Sequence, residues 1–566
     1  MTTMSTMPSP PAERLSGAQI VVRLLERQGV RRLAGIPGGA ILPFYDALSQ
    51  STSIEHVLAR HEQGAGFMAQ GMARVSGEVA VCVASSGPGA TNLITAIADA
   101  KLDSIPLVAI TGQVPKSMIG TDAFQEVDTY GLSIPITKHN FLVGSAQELL
   151  DVIPRAFRLA ASGRPGPVLV DIPKDVQNQI IEVTHWPEPG RPDIAPLPET
   201  KLIERAAAMI ESAERPILYL GGGVVHSGAA AEAVALAEQC DLPTVMTLMG
   251  LGAMPVDHRL SLGMLGMHGA RCTNYALDEC DLLIAVGARF DDRATGKVAA
   301  FCPQARIIHI DIDRSEIDKI KTAHVGLRGD VKPVLERLSA LLPTQRRGDW
   351  CRRVATLKAE HPLRMPGIDD PRTPYGLIRA VADCLDDTAT IATDVGQHQM
   401  WVAQAYPLRR ARQWLTSGGL GTMGFGMPAA IGAALAEPER TVVCFSGDGS
   451  ILMNVQELAT AAEENANVKI VLMNNASLGL VFQQQTLFYG ERIFASKFKG
   501  VPDFLSVAAG FGWRTLDLDA APDARAALRE AFSLRGPVFI HASINVQEQV
   551  LPMVAPGAAN LEMIGD

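Results

Sequence analysis

The stretch from Thr441 to Asn475 constrains the fold of this chain more than any other. It consists of an apolar run, a turn with the sequence SGDGS, a helical segment, and a second apolar run that ends in Asn474 and Asn475. A strand, a helix and a strand within roughly 30 residues form a right-handed crossover, in which the two strands are parallel and end at the same edge of one sheet. The sequence therefore predicts an α/β fold in which Asp448 and Asn475 meet.

The side chains at this edge are suited to a metal ion and a phosphate. Carboxylate and amide oxygens are good ligands for octahedral Mg²⁺, and Gly447 and Gly449 leave room for an anion close to the backbone. A glycine turn that opens a helix also favours phosphate binding. The alternative is an ordinary tight turn in a Rossmann-like sheet, and the turn alone does not decide between the two. The asparagine pair downstream favours a magnesium diphosphate site.

Length, charge and cysteine usage exclude several classes of protein. With 566 residues, of which 47% are hydrophobic, the chain is too long for one core and indicates several domains. A net charge of −10 without a long run of one sign argues against nucleic-acid and membrane surfaces. No apolar run reaches membrane-spanning length, and residues 1–15 are predicted to be a disordered leader. The charge pattern therefore favours a small-molecule partner, and scattered cysteines without a CxxC pair predict a reducing, cytoplasmic compartment.

In the first third, glycine-rich turns follow strand-like runs, and two polar residues stand out. Glu62 opens a helix in the motif RHEQGAG, where the small neighbours indicate close packing. It is either a surface charge that compensates the helix dipole or a catalytic acid or base. Gln125 lies in the loop GTDAFQE beyond a strand. It either stabilises that loop or faces the charge that develops on a bound substrate.

The middle third predicts a second nucleotide site. A strand over Pro216–Leu220 runs into the sequence GGG, and later strands end in GARFDDR and DID. Acidic residues at strand ends suit ribose hydroxyls, and arginines suit a pyrophosphate. The sequence GGGVVHSG departs from the strict dinucleotide pattern GxGxxG and is weak evidence by itself. The three turns together favour nucleotide binding.

The last third adds two candidate residues to the metal and phosphate edge. His398 follows a strand beside Gln397, and Met423 lies in the glycine-rich turn GGLGTMG. A core histidine and a methionine that fills the core are the alternatives to ligand contacts.

These motifs resemble those of the acetohydroxyacid synthases, also called acetolactate synthases, a thiamine diphosphate-dependent enzyme family. The sequence GDGS followed by NN resembles their magnesium and thiamine diphosphate motif, and RFDDR is typical of the flavin-dependent biosynthetic members. The resemblance runs from about Ser16 to the end of the chain. It implies two thiamine diphosphate-binding parallel-sheet domains that flank a Rossmann-like FAD-binding domain. The expected boundaries are a pyrimidine-binding domain at 16–185, a linker at 186–200, the FAD domain at 201–343, a linker at 344–374 and a diphosphate-binding domain at 375–566.

The resemblance also implies roles for individual residues. The ligands of Mg²⁺ would be Asp448, Asn475 and the carbonyl of Ser477. Glu62 would hydrogen-bond the aminopyrimidine ring of the cofactor, and the other residues of the catalytic pocket would be Gly39, Phe124, Gln125 and Lys174. Thiamine diphosphate would further contact Val395, Gln397, His398, Gly421, Met423, Gly449, Ser450 and Gly479. FAD would contact Gly221, Gly222, Gly223, Thr247, Leu248, Met267, His268, Arg289, Asp291, Arg293, Asp311, Ile312, Asp330 and Val331.

The implied activity is that of a catalytic subunit in branched-chain amino-acid biosynthesis. Pyruvate would lose carbon dioxide, and the remaining two-carbon unit would join a second pyruvate or 2-ketobutyrate. FAD would be largely structural, since joining two keto acids involves no net redox change. Several relatives carry a tryptophan that favours 2-ketobutyrate where this chain has Gln484. An amide offers less apolar surface for the extra methylene group, so we expect a weak preference between the two acceptors.

The resemblance implies an assembly as well. In this family the cofactor bridges two domains across a subunit interface, so a homodimer or homotetramer is expected. Bacterial relatives often bind a small regulatory subunit. The alternatives are another thiamine diphosphate-dependent decarboxylase, a pyruvate oxidase, or a non-catalytic flavin-binding paralogue. The intact set of Glu62, Asp448 and Asn475 argues against the last of these.

Overall fold

The computed structural model of the chain describes residues 12–565, and these divide into two compact units. The first unit comprises the chain up to Ala73 together with Glu78–Asp193, and the second comprises Arg74–Gly77 and the chain from Ile194 onward. Among the described residues there are three six-stranded sheets, and each consists of parallel strands. The predicted α/β class is therefore confirmed. The domain boundaries given above stay a prediction.

The first unit is built on a sheet with the strand order β3-β2-β4-β5-β7-β6. The strands of this unit are β1 (Glu13–Ser16), β2 (Arg32–Gly35), β3 (Glu55–Leu58), β4 (Ala80–Ala84), β5 (Leu107–Gln113), β6 (His139–Leu142), β7 (Pro167–Pro173) and β8 (Ile180–Val183). The helices that begin in it are α1 (Gly17–Arg27), α2 (Leu42–Leu48), α3 (Glu62–Ser76), α4 (Pro88–Asp103), α5 (Thr129–Ser133), α6 (Leu149–Ala161) and α7 (Lys174–Asn178). Every residue of β5 and β7 is buried, as expected of parallel strands covered on both faces.

The predicted leader, residues 1–15, lies outside the described residues as far as residue 11. Its predicted end is wrong, because β1 pairs antiparallel with β8. Leu15 packs partly buried against the core of the first unit, and Ser16 caps α1 in a reciprocal pair of hydrogen bonds with Gln19. This cap and this packing fix the chain where it enters the first helix.

The central sheet of the second unit has the strand order β11-β10-β9-β12-β13-β14. Its strands are β9 (Pro216–Leu220), β10 (Thr244–Met246), β11 (Ser261–Met264), β12 (Leu282–Val286), β13 (Arg306–Asp311) and β14 (Val325–Arg328). Its helices are α8 (Thr200–Ser212), α9 (Gly222–His226), α10 (Ala230–Gln239), α11 (Arg271–Glu279), α12 (Asp292–Thr295), α13 (Val331–Leu341) and α14 (Gly348–Glu360). This is the strand order of the Rossmann fold, and the chain reverses direction across the sheet between β9 and β12. The predicted Rossmann-like architecture is confirmed.

The segment 344–374, predicted to be a linker, contains the helix α14. Its buried residues Trp350, Val354 and Leu357 recur at helical spacing and pack against the core of the central sheet. The indole N–H of Trp350 donates to the carbonyl of Pro216, 2.9 Å away. The polar composition of the segment concealed this narrow apolar stripe.

The last sheet, also in the second unit, has the strand order β16-β15-β17-β18-β20-β19. The remaining strands are β15 (Thr390–Thr393), β16 (Trp414–Leu415), β17 (Val442–Gly447), β18 (Val468–Asn474), β19 (Arg514–Asp517), β20 (Val538–Ser543), β21 (Met553–Val554) and β22 (Met563–Ile564). The remaining helices are α15 (Pro374–Ala382), α16 (Gln397–Ala405), α17 (Gly426–Ala436), α18 (Asp448–Ile451), α19 (Glu457–Glu463), α20 (Gly479–Phe488), α21 (Phe504–Gly510) and α22 (Ala524–Ser533). The predicted crossover is present, since β17 and β18 are parallel neighbours. Within residues 12–565, no helix has the length and apolar character that crossing a membrane requires.

Candidate cofactor and active site

A cleft opens at the carboxyl ends of β15, β17 and β18. It lies at the topological switch point of the last sheet, because the chain continues from β15 to one side and from β17 to the other. All eleven residues predicted to hold thiamine diphosphate or the metal line it: Val395, Gln397, His398, Gly421, Met423, Asp448, Gly449, Ser450, Asn475, Ser477 and Gly479. The structure thus brings together in one cleft residues that lie far apart in the sequence.

The predicted metal ligands meet around one backbone N–H group. The N–H of Ser477 lies 3.1 Å from Asp448 Oδ2 and 3.1 Å from Asn475 Oδ1. Asp448 is buried, and burial raises the pKa of its carboxyl to about 6, although backbone N–H groups partly offset this effect. A carboxylate and an amide oxygen side by side are a donor set that suits Mg²⁺.

His398 provides a buried polar atom at the cleft. Its Nε2 atom has no hydrogen-bond partner among the described residues, and the ring lines the cleft. Burial lowers the pKa of His398 to about 3. A Cβ atom on Gly396 or Gly447 would come within 3.0 Å of the imidazole ring, so these two glycines provide the space that the ring occupies. An oxygen of a bound anion would give Nε2 the partner that it lacks.

Two helices begin at the cleft without a side-chain cap. α16 starts at Gln397 and α20 starts at Gly479, and neither has a capping side chain on its first N–H groups. Such N–H groups and the positive end of the helix dipole favour a bound phosphate. Together with His398 and the pair formed by Asp448 and Asn475, these helix starts fit a magnesium diphosphate.

The side chain of Gln397 forms hydrogen bonds within the second unit. Both of its acceptors lie inside the protein, because Nε2 is 2.9 Å from Gln483 Oε1 and 2.8 Å from the carbonyl of Glu548. Its Oε1 atom accepts from Asn475 Nδ2 at 3.1 Å. The side chain thus joins Asn475, Gln483 and the C-terminal segment, and its contact with thiamine diphosphate stays a prediction. The backbone of Gln397 still forms the start of α16 in the cleft.

The cleft also contains residues that the sequence analysis missed. Trp401 lies one turn after Gln397 on α16, and Leu478, Leu480 and Val481 surround the start of α20. Helical spacing from Gln397 could have identified Trp401. No local signal identified the three apolar residues, which are inconspicuous in a hydrophobic segment.

In the first unit, predicted residues follow the carboxyl ends of neighbouring strands. Gly39 comes after β2, Glu62 after β3 and Gln125 in the loop after β5, while Lys174 begins α7. Gly39 and Gln125 are exposed, and Phe124 has an exposed fraction of 87%. Because the strands of this sheet are parallel, these segments lie at one edge of it.

Glu62 is the first residue of α3 and is half-buried. Its Oε2 atom accepts a hydrogen bond of 2.9 Å from Asn92 Nδ2 on α4. The predicted close packing is present, because a Cβ atom on Gly66 would lie only 2.5 Å from the Cβ of Ala96. A half-buried carboxylate that is held by a neighbouring helix differs from a solvated charge that serves only the helix dipole. Asn92 was not assigned a role from the sequence.

The loop that contains Gln125 is supported by the end of β4. Gly87 has φ +57°, and a Cβ atom there would lie 2.8 Å from the carbonyl oxygen of Gln125, so only glycine fits. Gln113 Nε2 donates to the carbonyl of Val127 and to Asp171 Oδ2, each at 3.0 Å. Thus the loop has defined contacts although its tip is exposed.

The fourteen residues predicted to contact FAD all lie at the carboxyl ends of the strands of the central sheet or just beyond them. At the switch point, the turns after β9 and β12 pack backbone against backbone, since the N–H of Gly223 donates to the carbonyl of Gly287 at 3.0 Å. A Cβ atom on Gly221 or Gly223 would overlap Gly287. These glycines let the two turns meet at the switch point, which is where a Rossmann fold binds a dinucleotide, as the family implies for FAD.

The acidic residues at this sheet edge accept hydrogen bonds from backbone N–H groups of their own turns. Asp291 Oδ1 caps α12 by accepting from the N–H groups of Arg293 and Ala294 at 3.1 and 3.2 Å. Asp311 Oδ1 accepts from the N–H of Asp313 at 2.8 Å, and Asp330 caps α13. Asp291 and Asp330 each use the oxygen Oδ1 for these caps. His268 is buried, and burial lowers its pKa to about 4.

Three family models match the chain, in order along its length. They describe thiamine pyrophosphate enzymes: the N-terminal TPP binding domain matches residues 15–132, the central domain residues 203–338, and the C-terminal TPP binding domain residues 394–542. The fold and the cleft therefore define a thiamine pyrophosphate enzyme.

Similar proteins of known name identify the family within the thiamine pyrophosphate enzymes. The chain is 61% identical to the acetolactate synthase isozyme 1 large subunit of Escherichia coli K12, over 98% of each chain. It is 49% identical to the isozyme 2 large subunit of the same organism, over 97% of this chain and 99% of the relative. It is 46% identical to the acetolactate synthase large subunit of Corynebacterium glutamicum, over 97% of this chain and 90% of the relative. The chain belongs to the acetolactate synthase large-subunit family, which confirms the family and the enzyme class predicted from its motifs.

The matches bear on the cofactors too. Two of the three family models are TPP-binding domains, which confirms the prediction of thiamine diphosphate. Magnesium and FAD are typical of acetolactate synthase catalytic subunits, in agreement with the prediction.

Proposed function

We propose that this chain catalyses the decarboxylation of pyruvate and the joining of the remaining two-carbon unit to a second 2-keto acid. With pyruvate as acceptor the product is 2-acetolactate, and with 2-ketobutyrate it is 2-aceto-2-hydroxybutyrate. Both products supply branched-chain amino-acid biosynthesis. The observation that carries the proposal is the cleft of the second unit, in which all the predicted diphosphate and metal residues come together.

The residues of the cleft would hold the cofactor by its diphosphate end. Asp448 and Asn475 provide oxygens for Mg²⁺, with the carbonyl of Ser477 as a third ligand. The N–H groups at the starts of α16 and α20, together with His398 Nε2, bind the diphosphate oxygens. When bound, thiamine diphosphate supplies a nucleophilic carbon that attacks the 2-keto acid and takes up the electron pair left by carbon dioxide. Gly421 and Met423 support the cofactor from the turn before α17.

Glu62 holds and moves a proton at the aminopyrimidine end of the cofactor. Its Oε2 atom accepts from Asn92 Nδ2 at 2.9 Å, so Asn92 orients the carboxyl group and leaves its other oxygen for the ligand. A positioned carboxyl group of this kind contributes about 10²- to 10⁴-fold to a proton transfer. We assign substrate contacts to Gly39, Phe124, Gln125 and Lys174, with Gln125 as the donor to the keto acid. Gln484 on α20 is the residue that we expect to influence the choice of acceptor.

We further propose a homodimer or homotetramer that binds a small regulatory subunit and works in the cytoplasm. The relatives are named large subunits, which supports a smaller partner. The eight cysteines, all within the described residues, form no disulfide, which supports a reducing compartment.

Product identification tests the proposed reaction. The purified protein, incubated with pyruvate, thiamine diphosphate, Mg²⁺ and FAD, is expected to release acetolactate. Acetaldehyde as the main product would indicate a simple decarboxylase, and acetyl phosphate would indicate an oxidase. No turnover of pyruvate would support a non-catalytic paralogue.

A further inference from the structure

A continuous line of buried side-chain amides connects Asn475 to the backbone near the C-terminus. Asn475 Nδ2 donates to Gln397 Oε1 at 3.1 Å, and Gln397 Nε2 donates to Gln483 Oε1 at 2.9 Å. Gln483 in turn bonds twice to Val550, because its Nε2 donates to the carbonyl and its Oε1 accepts from the N–H, each at 2.9 Å. Gln483 is fully buried and Gln397 nearly so, so solvent does not replace any of these partners.

The two bonds to Val550 fix the direction of the whole line. A side-chain amide has one end that donates and one that accepts, whereas a backbone carbonyl only accepts and a backbone N–H only donates. Gln483 can therefore satisfy both groups of Val550 in one orientation only, which turns its oxygen toward Gln397. Gln397 must then present its N–H groups to Gln483 and its oxygen to Asn475.

The other acceptor of Gln397 depends on Gln483 as well. Gln397 Nε2 also donates to the carbonyl of Glu548 at 2.8 Å, and Glu548 lies two residues before the Val550 that Gln483 holds. Gln483 thus provides one acceptor directly and tethers the segment that carries the other. Since an unsatisfied amide in the protein interior is unfavourable, flipping any member of the line would leave at least one donor facing a donor.

The orientation of Asn475 follows from this line. Its Nδ2 atom faces Gln397, so its Oδ1 atom points to the opposite side, where it lies 3.1 Å from the N–H of Ser477 that also contacts Asp448. Only the oxygen of an amide can bind a cation. We propose that Gln483 is a positioning residue that, through Gln397, turns the oxygen of Asn475 toward the metal. This inference rests on the proposed function of the cleft as a magnesium diphosphate site.

The test measures the binding of Mn²⁺, a spectroscopically visible substitute for Mg²⁺, to the full chain with saturating thiamine diphosphate. In Gln483→Met the amide is lost while the length of the side chain is kept, and we expect the apparent dissociation constant of Mn²⁺ to rise about 10- to 100-fold, as for other residues that orient metal ligands. Turnover should recover at high metal concentration, because the ligands themselves are intact. An unchanged Mn²⁺ affinity in Gln483→Met overturns the proposal.

Gln485→Met is the matched control. Gln485 lies on the same helix and also bonds to backbone, since its Nε2 donates to the carbonyl of Phe494 at 2.8 Å and its Oε1 accepts from the N–H of Phe494 at 3.3 Å. Its Oε1 also accepts from Ser496 Oγ at 2.6 Å, and none of these bonds involves Gln397, so its replacement should leave Mn²⁺ affinity within about twofold. An equal loss of Mn²⁺ affinity in Gln485→Met would show that losing the side-chain hydrogen bonds of another α20 residue weakens metal binding as much. That result would contradict a specific role of Gln483.

A double-mutant cycle separates positioning from general stabilisation. If Gln483 acts through Gln397, then Gln483→Met should not weaken Mn²⁺ binding further in a Gln397→Met background. Additive losses overturn the proposal. If Gln483→Met does not fold, Gln483→Asn, which keeps the amide but is too short to join Val550 to Gln397, carries the same comparison. Absence of Mn²⁺ and cofactor binding by the unaltered chain would instead contradict the proposed function, so the two failures are distinguishable.

Discussion

The diphosphate cleft of the second unit and the sheet edge of the first unit were assigned to the same reaction, yet they are built differently. In the cleft, Asp448 and His398 are buried and held by their neighbours. At the edge of the first unit, Gly39 and Gln125 are exposed, and Phe124 has an exposed fraction of 87%. One unit of the chain provides all the residues proposed to bind the diphosphate and the metal. The exposed residues proposed to contact the substrate need a second protein surface to enclose that substrate. In the proposed oligomer a second copy of the chain supplies this surface.

We expect the largest effect from Asp448→Ala, which tests metal and cofactor binding in the cleft independently of the proton transfer assigned to Glu62. Asp448→Ala removes a metal ligand, so both the affinity for thiamine diphosphate with Mg²⁺ and the turnover should fall, the turnover by about 1000-fold. Fluorescence titration with the cofactor and an acetolactate assay measure the two quantities. Retention of cofactor affinity in Asp448→Ala would show that the cleft is not the metal site.

Glu62→Gln should lower turnover while leaving cofactor binding nearly unchanged. The amide cannot take part in the proton transfer, so turnover should fall by about 100- to 1000-fold, while cofactor affinity stays within a few-fold because the cleft is untouched. The same titration and assay apply, and circular dichroism controls for folding. Near-normal turnover would refute the role assigned to Glu62.

Gln125→Ala probes the exposed edge. If Gln125 donates a hydrogen bond to the keto acid, its loss should lower kcat/KM for pyruvate by about 100-fold without changing the affinity for thiamine diphosphate. Steady-state kinetics measure the first quantity and titration measures the second. An unchanged kcat/KM would contradict the substrate contact and indicate that Gln125 only stabilises its own loop.

A fully buried carboxyl group in the first unit should make stability depend on pH. Burial raises the pKa of Asp171 to about 7, although hydrogen bonds from Thr111 and Gln113 oppose this shift. Between pH 4 and 7 the unfolded chain loses this proton while the folded chain keeps it. The folded state is therefore progressively destabilised as pH rises, on the order of 4 kcal/mol in total.

Asp171→Asn should remove the pH dependence that Asp171 gives to the free energy of unfolding. The amide can accept from Gln113 and donate to Thr111, so the fold is retained while the ionisation disappears. Thermal unfolding of the cofactor-free variant should then lose less stability between pH 4 and 7 than the unaltered chain. Parallel pH profiles of the two proteins would show that Asp171 does not titrate as described.

The smallest expected effect concerns the choice of acceptor. Gln484→Trp adds apolar surface near the proposed acceptor position and should raise the share of acetohydroxybutyrate several-fold when pyruvate and 2-ketobutyrate compete. The product ratio measures this preference. A strong bias toward acetohydroxybutyrate in the unaltered chain would already contradict the weak preference predicted from Gln484.

Local patterns account for what could be predicted of this molecule. The glycine turn after an apolar run and the asparagines at the end of the next run were enough to place Asp448 and Asn475 at one sheet edge, because parallel strands end together. The orientation of Gln397 could not be predicted in this way, since it depends on Glu548 and Gln483, far along the chain.

Two other features were missed for related reasons. The hydrogen bond from Asn92 to Glu62 joins two helices whose relative position no local pattern specifies. The helix α14 shows only a narrow apolar stripe in a polar segment, and its contribution appears when Trp350 packs against the central sheet. Contacts between distant segments therefore set the details of the site, while the sheet edges themselves follow from the sequence.

The most direct test of the central claim is acetolactate formation from pyruvate by the purified chain, with thiamine diphosphate, Mg²⁺ and FAD each omitted in turn. The account predicts acetolactate with the complete set, and its loss when either thiamine diphosphate or Mg²⁺ is left out. Turnover that is independent of both, or the absence of acetolactate when all three cofactors are bound, would contradict it.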